Sequence, residues 1–105
     1  MDIVFIRRRI TQLRMQQGIS EYKMSLDLGH SRSYMQSISS GRTLPSLSEF
    51  LYICEYLKVS PAVFFQEDVE APAFMEEMLS SAKGLSEEDL RLLLDLIKRL
   101  KNEKV

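Results

Sequence analysis

The segment SEYKMSLDLGHSRSYMQSISSG, from Ser20 to Gly41, constrains this chain more than any other stretch. Ser20 is placed to cap a helix, because its hydroxyl can accept from the free amides of a first turn. Met24 and Leu28 then fall four apart on one face. Gly29 follows as the residue just past a helix end, where positive φ is needed. Ser31 is a second cap candidate, and Tyr34, Met35 and Ile38 give the next segment an apolar side at helical spacing. Ser25 is small enough to let the two segments cross closely. The pattern is two short helices joined by a tight turn.

A glycine turn, a second cap and a second short helix make a helix-turn-helix. From about Arg9 to Phe65 the chain resembles the phage repressor/Cro (XRE) class of DNA-binding proteins. The first helix carries the class pattern as Arg9-Ile10 and Leu13-Arg14, and Gly18-Ile19-Ser20 leads into the second. Ser31-Arg32-Ser33-Tyr34 opens the recognition helix. Gly41 with Pro45-Ser46-Leu47 matches the loop into the fourth helix, and Val59-Ser60 leads into the fifth. The resemblance implies an all-α, five-helix repressor-like domain.

Charge is distributed as such a domain requires. The net charge of the 105-residue chain is −1, yet residues 1–65 carry eight Lys/Arg against five Asp/Glu, while residues 66–105 carry six against ten. A basic half joined to an acidic half suits a DNA-facing domain with a separate tail. The 45 % apolar content supports a packed core. No apolar run approaches the roughly 18 to 20 residues of a membrane span. In MDIVFIRRR the basic cluster follows the apolar residues, the reverse of a secretory signal. A single cysteine makes no internal disulfide, so a reducing cytoplasm is the expected setting.

The spacing predicts helices almost throughout. The first is expected over residues 3–17, with Ile3, Ile6, Ile10 and Leu13 as its core stripe. Ser46 with Glu49 three residues on reads as a capping box. Leu47, Phe50, Ile53, Cys54 and Leu57 are then expected to be buried, Cys54 as a small core residue. Ser60-Pro61 opens a short fifth helix, and Phe64 closes the core. The domains are expected at 1–65 for the helix-turn-helix unit and 73–105 for a C-terminal helical segment, joined by a linker at 66–72. Phe74, Met75, Met78 and Leu79 mark one further helix, and Ser86 starts the last. In that last helix Leu90, Leu93, Leu94, Ile97 and Leu100 form a stripe that Leu92 and Leu96 widen beyond one packing face. A homodimer with Leu93, Ile97 and Leu100 near its centre is expected; the other reading folds this helix back on its own domain.

Matched position by position to the class, the base-reading places fall on Arg32, Ser33, Gln36 and Ser37, in a recognition helix at 32–40. An arginine at Arg32 can fork to guanine O6 and N7, and Gln36 can serve adenine in the same bidentate way. Lys23, Arg42 and Arg9 are phosphate candidates. Tyr34 is placed to reach a phosphate or to pack against the second helix. Three departures from the class pattern stand out. Glu21 replaces a glutamine that often contacts phosphate, Ser39 replaces the glutamate that often pairs with Arg14, and His30 fills a turn position that is usually aliphatic.

The leading expectation is a sequence-specific DNA-binding regulator, a dimeric repressor reading an inverted repeat in double-stranded DNA. The alternative is a protein-interaction module, antitoxin-like or a regulatory partner, that kept the fold with weak or no DNA binding; Glu21 and the acidic C-terminal half favour it. An enzyme is the weakest reading: one His and one Cys at packing positions make no nucleophile–base pair. No cofactor, metal site, membrane partner or small-molecule substrate is expected.

Overall fold

Side-chain caps decide where most of the helices begin. The carboxylate of Asp2 accepts from Phe5 N at 3.1 Å and starts α1 (Ile3–Gln16). Ser20 accepts from Lys23 N at 3.0 Å and starts α2 (Glu21–Asp27). Ser46 and Ser60 act likewise for α4 (Leu47–Tyr56) and α5 (Pro61–Phe64), the latter with proline in its first turn. The computed structural model describes residues 1–67 and 72–103. It adds α6 (Pro72–Ala82) and α7 (Glu87–Glu103), the last with Ser86 Oγ accepting from Asp89 N at 3.1 Å. Among the described residues there are helices and no strand, so the chain is all-α as the pattern implies. Most of the expected linker at 66–72 lies outside the described residues, and Pro72 already begins α6.

The start of α3 (Tyr34–Ser39) is made differently, since its N-cap residue Ser33 makes no side-chain capping bond. Ser31, expected as the cap, only closes a turn through its carbonyl, which accepts from Tyr34 N at 3.1 Å. The missing bond comes from another helix. Ser25, fully buried in α2, accepts from Met35 N at 3.0 Å and donates to Glu21 O at 2.7 Å. Met35 is the second residue of α3, where an N-cap hydroxyl would normally bind. The regular helix therefore starts two residues later than the expected 32–40, with Arg32 and Ser33 in the turn before it.

Thirteen apolar residues from Ile10 to Phe64 are buried. Met24 of α2 and Leu28 at its C-cap pack with Met35 and Ile38 of α3, over Ile10 and Leu13 of α1, Ile53 and Cys54 of α4 and Leu57 at its C-cap. Phe64 closes the core as expected, with edge-to-face contacts to Phe50 at 4.9 Å and Phe5 at 6.4 Å. Gln17 donates from Nε2 to Leu57 O at 2.7 Å and ties the end of α1 to the end of α4.

Two expected core positions are exposed. Ile3 and Leu47 are the first residues of their helices and overrun the edge of the core; Leu47 is 77 % exposed. With Leu44, Pro45 and Ile6, Leu47 instead rims a shallow apolar pocket floored by Phe50 and Phe65. The capping box is half made, because the Glu49 carboxylate turns to His30 Nε2 at 2.6 Å.

The C-terminal segment is attached through α6. Pro72 is buried, Ala73 packs on the core, and Ser60 donates to the Glu76 carboxylate at 2.8 Å. By contrast α7 is exposed along its described length. Gly84, at φ +87°, sits in the turn between the two helices.

Candidate nucleic-acid interface

An exposed α-helical face is useful for reading DNA only if its opposite face is fixed. Met35 and Ile38 point inward from α3, and the Ser25 hydrogen bond pins its first turn. The other side is open: Arg32, Ser33 and Gln36 are exposed and Ser37 is half-buried. The four expected base-reading residues are thus all at least partly accessible, two in the entry turn and two on the helix. Gly29, at φ +79°, makes the turn that sets this helix against α2, with His30 N donating back to Ser25 O at 3.0 Å.

The loop after α3 is folded onto its end. Ser37 O accepts from Arg42 N at 2.9 Å and Thr43 N at 3.2 Å, and Arg42 Nε donates to Ser40 Oγ at 3.3 Å. Arg42 is thereby held at the end of α3 and is exposed. Lys23 is also exposed, but it pairs with Asp27 at 2.9 Å along α2. An exposed pair of this kind is weak, so a phosphate can compete for the ammonium. Asp27 also accepts from the Tyr56 hydroxyl at 2.6 Å. That bond and Lys23 hold the Asp27 carboxyl below its usual range, and burial with the same bond pushes Tyr56 up to about 12.

Arg9 corrects the sequence reading. It is only 4 % exposed, its Nη2 donates to Gln66 O at 2.8 Å, and its guanidinium lies 4.8 Å from the centre of the Phe5 ring. Burial lowers its pKa, partly opposed by Glu67. It is unavailable to a phosphate and instead anchors the end of the five-helix core to α1.

Tyr34 is half-buried and stacks on His30 at 3.7 Å with the rings 8° from parallel. Burial, with Glu49 nearby, raises its pKa. His30 therefore packs, as expected, and bridges the turn to α4. Arg14, whose usual partner position holds serine, donates to Ile19 O at 2.8 Å. Ser39 donates to the Glu21 carboxylate at 2.8 Å, so the two departures from the class pattern compensate one another. Burial pushes the Cys54 thiol up to about 11. Among the described residues, no group of three or more His, Cys, Asp or Glu is arranged to hold a metal ion, and no helix is long and apolar enough to cross a membrane.

Ser25 is the residue that sequence reasoning undervalued. It was legible as a small residue at a helix crossing, but a mid-helix serine carries no local mark of capping a different helix.

A family model described as Helix-turn-helix matches residues 10–64. Among solved structures, a chain of the SinR protein/SinI protein complex is similar at 28 % identity and a TM-score of 0.52, covering 92 % of this chain and 98 % of its own length. Compared with curated protein sequences, the chain has no match.

Proposed function

The chain belongs to the helix-turn-helix family of the phage repressor/Cro (XRE) class, and from that premise we propose that it is a sequence-specific, dimeric DNA-binding repressor. The observation that carries this reading is that Arg32, Ser33, Gln36 and Ser37 are accessible while the other side of α3 is buried and its first turn pinned. Arg32 forks to guanine and Gln36 to adenine in the major groove, with the serines as weak discriminators. Arg42, Lys23 and the Tyr34 hydroxyl contact phosphates and set register without reading sequence.

The C-terminal helices bring in the second copy, which reads the other half-site. Leu93, Ile97 and Leu100 are exposed, and together with Met75, Met78 and Leu79 of α6 they line an open apolar groove of about 470 Å³. A strip of this kind favours association. Two copies joined through residues 73–105 would set their recognition helices about 34 Å apart, one turn of DNA, on an inverted repeat. Residues 1–65 are then the reading domain.

A competing reading keeps the fold as a protein-interaction module. Glu21 at the start of α2 repels phosphate, and the apolar groove fits a partner of different sequence; the solved neighbour is itself a complex of two different proteins. Enrichment of genomic fragments on the purified full-length protein separates the two. The DNA reading expects a common inverted repeat among bound fragments. Retention of no fragment at low salt leaves the interaction module.

A further inference from the structure

Beside the C-terminal end of α3 lies a notch of about 470 Å³ lined by Val4, Arg7, Arg8, Thr11, Gln12 and Ser39. We propose that Arg7 and Arg8 make this notch a second anchoring site for a phosphate of the DNA backbone. The inference rests on the DNA-binding reading above and adds a contact from α1 to it.

Helical pitch brings the notch together, since Arg7 and Thr11, and Val4 and Arg8, are four apart on α1. Arg7 is half-buried, and its guanidinium lies directly over Gly41, where even a methyl group would collide with Nη1. The side chain is thus seated against the backbone at the end of the recognition helix, which lowers the entropy lost on binding. Arg8 is exposed at the rim. Among the described residues, no ion pair engages either guanidinium. Two forked donors facing one notch suit a phosphate, which accepts bidentate N–H bonds.

Glu21 explains why such a site has value here. Its carboxylate, held on Ser39 at the edge of the notch, makes the start of α2 a poor phosphate contact. Two arginines against that one carboxylate leave this edge net positive. The positive charge that the start of α2 lacks is supplied from α1.

The test is fluorescence anisotropy on an enriched DNA duplex and a scrambled one, across a series of chloride concentrations. The proteins are full-length wild type, Arg8→Gln, and Arg7→Gln with Arg8→Gln. The exposed Arg8→Gln variant keeps the test independent of any packing lost with Arg7. The double variant is expected to bind both duplexes about tenfold more weakly, with the log–log salt slope shallower by about 0.9 for the lost phosphate contact. Arg8→Gln is expected to show a smaller loss and a smaller change of slope, in the same direction on both duplexes. Unchanged slopes, or a loss confined to the enriched duplex, overturn the notch alone. Saturable binding of inorganic phosphate by wild type, lost in the double variant while the DNA slopes stay equal, assigns a free-anion site and overturns the DNA assignment. Wild type that retains neither duplex at low salt overturns the DNA reading and the notch with it.

Discussion

The hydroxyl of Ser25 on α2 accepts the backbone N–H of Met35 on α3 at 3.0 Å, so the recognition helix is capped by the helix it packs against. Ser25→Ala leaves that buried N–H without a partner. A loss of about 1–3 kcal/mol in unfolding free energy is expected, measured by urea denaturation. A variant as stable as wild type would mean that water or Ser33 takes over the cap.

Ser39 and Glu21 make a second link between the same helices at 2.8 Å. Glu21→Gln keeps an oxygen for the Ser39 hydroxyl and removes the charge. Affinity for any duplex should rise about three- to fivefold, the effect of roughly 1 kcal/mol of relieved repulsion. Equal affinity in the two proteins would place Glu21 away from the backbone.

These two serines mark the boundary of what the sequence discloses. Ser20, Ser46, Ser60 and Ser86 are legible because a cap bonds three residues ahead, a local relation. Ser25 caps across ten residues and a turn, so only the fold makes it visible. Arg9 is hidden for the same reason: its burial depends on Gln66, which is 57 residues away. Periodicity placed the core of α1 and α4 correctly from Ile10 and Phe50 onward. It failed at Ile3 and Leu47, because a stripe does not say where the core it faces stops. The proposed DNA-reading residues rest on resemblance to a family, while the seat of Arg7 over Gly41 needed coordinates.

Cys54 yields a pH dependence. Its thiol is raised from 9.0 to about 11 by burial, so folding favours the neutral form. Stability from this group is fully present below about pH 9 and is lost as pH climbs toward 11. Cys54→Ser is a poor control, since it buries a hydroxyl; Cys54→Ala is expected to flatten the alkaline fall in thermal midpoint. Native protein at pH 8 should react with a thiol reagent only as fast as it opens. Rapid stoichiometric labelling of folded protein would contradict the burial.

The dimer proposal gives a clean truncation. Pro72, Ala73 and Glu76 fasten α6 to the core, while α7 is exposed, so a chain ending at Lys83 should stay folded. Sedimentation at matched concentrations should find full-length dimer and truncated monomer. Leu93→Asp with Ile97→Asp should have the same effect in the full-length chain. A full-length monomer, or dimers in both variants, would place the interface elsewhere.

The central claim is that the accessible residues at the start of α3 and in the turn before it read sequence. The most direct measurement is the ratio of affinities for an enriched duplex and a scrambled one, at fixed salt, for wild type and for Arg32→Ala with Gln36→Ala. Each bidentate contact accounts for roughly 1–3 kcal/mol of discrimination, so the ratio should fall at least tenfold while scrambled-duplex binding changes little. A ratio that survives both substitutions would contradict the account.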